Sequence, residues 1–207
     1  IDELTLQLKL RQGVKFHDGT DFNAEAVKVN LDRLLDPNIA SPRLSNFEPI
    51  TEIVVMDDYT IQIKTEKPYG PLLFALTHPG GNIMSPAVIE EDYKRMENGG
   101  EARAYGNENP IGTGFLKLDK WTPGQEIRLV KNTEYWGEQV TYDSAVFKTV
   151  PESATRAADL EAGYAHIIDP VQPTEVPLVE GYAQVLKQPS VSISYLGFNT
   201  EKEPFNN

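Results

Sequence analysis

Leu10–Pro37 reads LRQGVKFHDGTDFNAEAVKVNLDRLLDP, and its punctuation decides the fold around it. Arg11-Gln12-Gly13 turns the chain, and Val14–Phe16 continues extended. His17-Asp18-Gly19-Thr20 is a turn in which Gly19 supplies a positive φ. Asn23 is a good helix N-cap, because its side-chain oxygen accepts from an orphan backbone N–H. Phe22 before the cap and Val27 within the helix form a hydrophobic staple, and Glu25 suits the positive end of the helix dipole. Ala24, Val27, Leu31 and Leu34 make one apolar stripe at helical spacing, and Pro37 stops the helix.

Upstream, Thr5–Leu10 alternates, with Leu6, Leu8 and Leu10 on one side and Thr5, Gln7 and Lys9 on the other. That period of two predicts a strand half-buried against a core. Downstream, Asn38–Glu48 is irregular, and Thr51–Met56 with Thr60–Thr65 predicts a hairpin around Asp57-Asp58-Tyr59. Leu72–Leu76 is a short apolar helix, and His78–Asn82, HPGGN, is a loop. Ser85 caps a helix with Pro86 at its first position, running to about Met96. Glu101–Pro110 is polar, is expected to be a loop, and is the best internal boundary.

Pro110–Gly114, PIGTG, turns into a strand at Phe115–Trp121, which a Thr-Pro-Gly-Gln turn joins to a paired strand at Glu126–Lys131. Ala145–Val150 is a further strand, and Ser153 begins an Ala-rich helix that stops at Gly163. His166–Ile168, Ala183–Lys187 and Val191–Asn199 are expected to be strands, with Asp169–Gly181 mostly loop. Hairpins mixed with strand–helix–strand units argue for an α/β or α+β fold with a mixed sheet.

The chain has 207 residues, enough for one domain or two small packed lobes. A formal net charge of −12 repels phosphate backbones and anionic lipid, which argues against nucleic-acid or membrane-surface binding. The absence of cysteine excludes disulfides, thiolate zinc sites and cysteine nucleophiles. No apolar run approaches the ~18 residues that a membrane span needs. The chain starts at Ile1, at the edge of a strand, and ends in PFNN after another. It is therefore expected to be a piece cut from a longer protein.

Chemical motifs are sparse. His17, His78 and His166 fall in no metal-binding spacing, so no metal or cofactor is expected. His17 sits in a turn and is read as structural; His78, in a Gly/Pro loop, holds a more ligand-facing position. The glycines of Gly112-Thr113-Gly114 precede a strand and no P-loop lysine follows, so they are read as a turn and not a phosphate cradle. Asp57-Asp58 and Glu90-Glu91-Asp92 are adjacent carboxylates whose side chains diverge, and both sets are expected to be solvated. No serine lies in a GxSxG elbow. Trp121, Tyr135 and Trp136 suit either an aromatic platform or packing, with packing preferred. The residues alone thus favour binding over catalysis.

Five blocks in order carry a resemblance over nearly the whole chain. RQGVKFHDGTDFNAEAVKVNLDRLLDP (Arg11–Pro37), PIGTGFLKLDKW (Pro110–Trp121), VKNTEYWG (Val130–Gly137), VPESATRAADLEAG (Val150–Gly163) and SYLGFNTEKEPF (Ser194–Phe205) resemble signature blocks of the family 5 extracellular solute-binding proteins. These are dipeptide, oligopeptide, glutathione and nickel receptors of ABC importers. Phe115 stands where that family usually has Pro after GTG, Leu116 where an aromatic is common, and His166 where Asp is frequent.

The resemblance implies a periplasmic-binding-protein-like lobe with a mixed sheet, flanking helices and a peripheral α+β subdomain. Residues 1–108 would be that peripheral subdomain and residues 109–207 part of the main-sheet subdomain of lobe one, with lobe two outside this chain. It also implies a non-enzymatic receptor, periplasmic or anchored as a cell-surface lipoprotein. Such a receptor would be monomeric, would bind a peptide or similar small polar solute, and would deliver it to ABC permease subunits. Matched by position, the loop after the first helix and the HPGGN loop face the ligand, which nominates Arg43 and Asn82, then His78 and Tyr195. Asn82 falls where nickel-type members carry an arginine, which disfavours nickel. The alternatives are a sensing or structural domain of a regulator that keeps the fold and, further off, a hydrolase with a dispersed active site.

Overall fold

The computed structural model describes residues 2–189 and 195–205. They form a mixed α/β structure of two compact units, Ile1–Thr149 and Val150–Asn207.

In the first unit, β1 (Thr5–Lys9), β2 (Ile50–Asp57) and β3 (Thr60–Thr65) make an antiparallel sheet in the order β1-β3-β2. The register sets Leu6 beside Ile63 and Leu8 beside Ile61 on one edge, and Ile53 beside Ile63 and Val55 beside Ile61 on the other. One face of the sheet is therefore aliphatic, as the alternation predicts. The stripe of α1 (Ala24–Leu35) packs on it, so Ala24, Val27, Leu31 and Leu34 share a core with Phe47, Ile53, Ile61 and Ile63. The start of α1 is closed as read: Asn23 accepts from Ala26 N–H, and the hairpin turn adds a second acceptor, Asp58 O, for Ala24 N–H. Truncating a fully buried residue of this stripe such as Leu31 costs on the order of 2–5 kcal/mol.

Three helices follow: α2 (Leu72–Thr77), α3 (Pro86–Glu97) and α4 (Ala104–Glu108). The last corrects the expectation of a loop over Glu101–Pro110. Tyr105 N–H donates to Asp92 Oδ1, and Gly106 is buried where a Cβ would meet Arg33, Asp92 and Met84 at 3.6 Å. Tertiary contacts thus order a segment whose composition favours a loop. Asp92 itself is a second correction. It was expected to be solvated with Glu90 and Glu91, yet it is 1% exposed. Helical spacing puts it on the buried face with Val88 and Ile89, and the carboxylate is tolerated there because it is paired with Arg33.

The second sheet is β4 (Leu116–Thr122), β5 (Glu126–Lys131) and β6 (Ser144–Lys148), antiparallel in that order. Its register lines up Trp121, Ile127 and Phe147 across three strands, and all three are exposed. Among the described residues Trp121 makes no ring contact, whereas the Tyr135 and Trp136 rings lie 4.9 Å apart.

The segment Leu10–Pro37 is tied to this region by its His17–Thr20 turn. His17 N–H donates to Gly112 O at 2.9 Å, and His17 Nε2 lies 2.9 Å from Gly114 O, to which it donates. Asn132 Nδ2 also donates to Gly114 O, and Trp136 Nε1 donates to Thr113 O. Arg11 stacks on the Trp136 ring at 4.4 Å. The GTG segment is thus a carbonyl-rich turn that accepts from three side chains, not an amide cradle. Asp18 Oδ2 accepts from Ser85 Oγ at 2.5 Å, while Ser85 caps α3 and its own N–H donates to Ile111 O.

In the second unit, α5 (Ser153–Glu161) ends before Gly163, whose φ of +77° suits glycine, and α6 (Val176–Val179) is a single turn. Arg156 donates to the carbonyls of Val150, Pro151 and Pro170. His166–Ile168 and Ala183–Lys187, expected as strands, are not strands. Neither finds a neighbouring strand among the described residues, and an unpaired extended segment forms no ladder. Of the last expected strand, residues 191–194 lie outside the described residues, and residues 195–199 form no strand.

The Ser85 junction makes a pH prediction. Burial pushes the Asp18 carboxyl up, but the Ser85 and Thr20 hydroxyls and the Thr20 N–H outweigh it and hold the group below its ordinary 3.8. A depressed carboxyl stabilises the fold fully above its unfolded value and loses that effect as pH falls through the folded one. The stability gap between wild type and Asp18→Asn, measured by urea unfolding, is expected to be constant above about pH 5 and to shrink toward about pH 2. Ser85→Ala, which also removes the α3 cap, is expected to cost about 1–2 kcal/mol at neutral pH.

Candidate functional site

Asn30 is a polar residue within the apolar stripe of α1, and it is buried. Its Nδ2 donates to Ala26 O and to Met84 O, each at 2.8 Å, and its Oδ1 accepts from Met84 N–H at 2.9 Å. The amide thereby imitates a strand neighbour for residue 84 and fixes the chain just after the HPGGN segment against α1. One turn on, Arg33 pairs with Asp92 of α3. A further turn on, Asp36 Oδ2 accepts from the Tyr93 hydroxyl at 2.7 Å. The hydrogen bond from Tyr93, with help from Asn38, holds the Asp36 carboxyl below its usual value. Burial, and then the bond to Asp36, push the Tyr93 phenol well above its usual range.

These links frame a cavity of about 200 Å³ lined by Asn30, Arg33, Ser41, Arg43, Asn82 and Arg103, among others. Arg43 opens a 3-10 turn, Leu44–Asn46, in the loop after α1. Asn82 closes another, Pro79–Gly81, inside what the sequence presents as a plain loop. His78 caps that turn, its Nδ1 accepting from Gly80 N–H at 3.4 Å, and it does not line the cavity. Tyr195 lies in the second unit, where it is 86% exposed. The structure therefore brings Arg43 and Asn82 to one cavity and gives His78 a supporting place beside it.

The paired glycines are set by close approach. A Cβ on Gly80 would fall 2.9 Å from Arg43 Cβ and 3.2 Å from Phe47, and one on Gly81 would fall against the Leu76 carbonyl. Backbone strain also gathers here. The two non-glycine residues with positive φ among the described residues are Arg103 (φ 67°), which lines the cavity, and Ala40 (φ 47°), which precedes Ser41.

Sequence reading missed Asn30, Arg33 and Arg103. Asn30 leaves a trace, an amide at a stripe position where an apolar residue is the default. Arg103 leaves none, because it sits in a polar stretch without periodicity. Chemically the cavity is cationic and rich in donors. Among the described residues no carboxylate lines it, and guanidinium groups suit flat oxygen anions through paired hydrogen bonds. Among the described residues no cluster of three or more His, Asp or Glu is placed to hold a metal.

The family described as bacterial extracellular solute-binding proteins, family 5 (middle), matches residues 1–207. The chain is 34% identical over 212 residues to the glutathione-binding protein GsiB of Escherichia coli O1:K1 / APEC, covering 100% of this chain and 39% of that protein. Among solved structures it is similar to the ABC transporter-associated periplasmic binding protein DppA from Helicobacter pylori in complex with peptide STSA. There the TM-score is 0.81 at 30% identity, over 100% of this chain and 43% of the other. It is also similar to NikA from Brucella suis in complex with Fe(III)-EDTA, with a TM-score of 0.64 at 33% identity, over 78% of this chain and 31% of the other. The chain thus spans less than half the length of these relatives. Its mixed α/β architecture is that of the periplasmic binding proteins.

The glycine contacts separate fold from site. Gly81→Ala sets a Cβ against a backbone carbonyl that cannot swing away, and a loss of roughly 3 kcal/mol or more in urea unfolding is expected. Gly80→Ala meets the Arg43 stem and a ring edge, which can give. A smaller loss, about 1 kcal/mol, is expected.

Proposed function

This chain belongs to the family 5 bacterial extracellular solute-binding proteins, and on that premise we propose that it is part of an extracytoplasmic receptor for a peptide or similar small polar solute. The receptor hands its ligand to the permease subunits of an ABC importer and carries out no reaction on it. The match of the family over all 207 residues carries this reading. The family is one of binding proteins, and among the described residues no helix is long and apolar enough to cross a membrane.

Within it we assign residues 1–108 to a peripheral subdomain and residues 109–207 to part of the main-sheet subdomain of the first lobe, with a second lobe outside this chain. The receptor is monomeric and works in the periplasm or as a cell-surface lipoprotein. Arg43 and Asn82 make the first ligand contacts from the cavity between α1 and the Pro79–Gly81 turn. His78 acts beside them by holding that turn, and Tyr195 is a further candidate contact from its own unit. An exposed guanidinium at Arg43 suits a carboxylate. GsiB is named for glutathione and the DppA structure holds a peptide, and both ligands carry carboxylates. Asn82 supplies a neutral amide, which suits a peptide carbonyl or N–H.

Calorimetry on the whole native polypeptide is expected to show uptake of about one equivalent of glutathione or of a short peptide, with the ligand recovered unchanged by mass spectrometry. Catalytic loss of ligand would favour a hydrolase instead. Arg43→Ala is expected to weaken binding about tenfold, the cost of a lost charged hydrogen bond, and an unchanged affinity would remove Arg43 from the site. Residues 1–207 alone are expected to bind more weakly than about micromolar, since one lobe offers only part of a cleft.

A further inference from the structure

Seven arginines serve a chain of net charge −12, and three of them, Arg33, Arg43 and Arg103, line one cavity. Two of the other four are engaged nearby or across the fold: Arg95 pairs with Glu91 and stacks on Tyr105 at 4.2 Å, and Arg11 stacks on Trp136. Arg33 is committed to Asp92. Arg103 is different. The Nε atoms of Arg33, Arg103 and Arg156 are all shut off from solvent without a partner, but the terminal nitrogens of Arg33 and Arg156 are bonded, whereas among the described residues the Arg103 guanidinium makes no hydrogen bond and no ion pair. A guanidinium cannot escape burial by losing its proton, so an unpaired buried N–H keeps its full desolvation cost.

The backbone at Arg103 adds a second observation. It is left-handed, with φ 67° and ψ 0°, as the residue that opens α4, and its side chain caps nothing. Glycine takes this conformation freely, whereas the Cβ of arginine makes it unfavourable. The local structure therefore gains nothing visible from arginine at this place. What the position provides is a cation facing a cavity that no carboxylate lines, with Arg43 on the same wall system.

We propose that Arg103 is a specificity-determining residue that, with Arg43, receives a carboxylate of the bound solute, so that this receptor prefers ligands carrying an acidic side group over their neutral isosteres. The inference rests on the reading of this cavity as part of the ligand site. A carboxylate placed there would give the Arg103 guanidinium, whose Nε is buried without a partner, the acceptor it lacks. Arg33 is already neutralised by Asp92 and is not part of this contact.

The test compares two probes, the tripeptides Ala-Glu-Ala and Ala-Gln-Ala, by calorimetry on the whole native polypeptide. Wild type is expected to bind Ala-Glu-Ala about tenfold or more tighter. Arg103→Gly, which fits the left-handed backbone, is expected to bring the two affinities within about twofold while melting at or above the wild-type temperature. Arg103→Lys keeps the charge without the fork and is expected to keep part of the preference. A wild type that binds both probes equally, a glycine variant that keeps the acidic preference, or one that melts several degrees lower would overturn the assignment of Arg103 and leave the receptor reading standing. A wild type that binds neither these tripeptides nor glutathione would overturn the reading of the cavity as a ligand site, and this inference with it.

Discussion

Ser85 is fully buried and satisfies four demands at once, and the first unit is arranged around that junction. Its hydroxyl donates to Asp18 and caps α3, it lies 3.3 Å from the Thr20 hydroxyl, and its N–H donates to Ile111 O. Residue 85 therefore joins the turn of the opening segment, the start of α3 and the chain entering the GTG turn. The neighbouring His17 completes the connection by holding the carbonyls of Gly112 and Gly114. Buried hydrogen bonds of this kind add little each in net terms, yet leaving any one unmade costs more than making it gains. That asymmetry fixes one arrangement of three segments distant in sequence.

The same economy governs the join between α1 and α3. Asn30, Arg33 and Asp36 follow one another at helical spacing, and each meets a group from residues 84–93. Apolar contacts are non-directional and tolerate small adjustments, but a buried amide paired to one particular N–H and C=O does not. The cavity exists because these polar contacts hold the Asn82 segment at a set distance from α1. Its cationic lining follows from which arginines are already paired: Arg33 has Asp92, whereas Arg43 and Arg103 have no acid among the described residues.

The second sheet carries a different pressure. Trp121, Ile127 and Phe147 lie side by side and exposed, and apolar rows of this kind normally mark a surface that something covers. The chain spans 39% of the length of GsiB, so the partners of that surface are not decided by these residues.

Much of the architecture was legible along the chain. Alternation gave β1 and the β2–β3 hairpin, Asn23 and Ser85 marked helix starts, and the glycine turns fell where a positive φ was needed. These features depend on neighbours within a few residues, so spacing alone encodes them. The meeting of Arg43 and Asn82 at one cavity was partly legible, through the resemblance of their loops to a family. The short helix α4, the burial of Asp92, the absence of strands at His166–Ile168 and Ala183–Lys187, and the presence of Asn30, Arg33 and Arg103 beside Arg43 were decided only by the tertiary structure. Each depends on a partner far away in sequence: a carboxylate that needs its arginine, an extended segment that needs a neighbouring strand, a cavity wall that needs two helices and a turn. Local sequence sets which way a side chain leaves its own element, and only packing sets what it meets there.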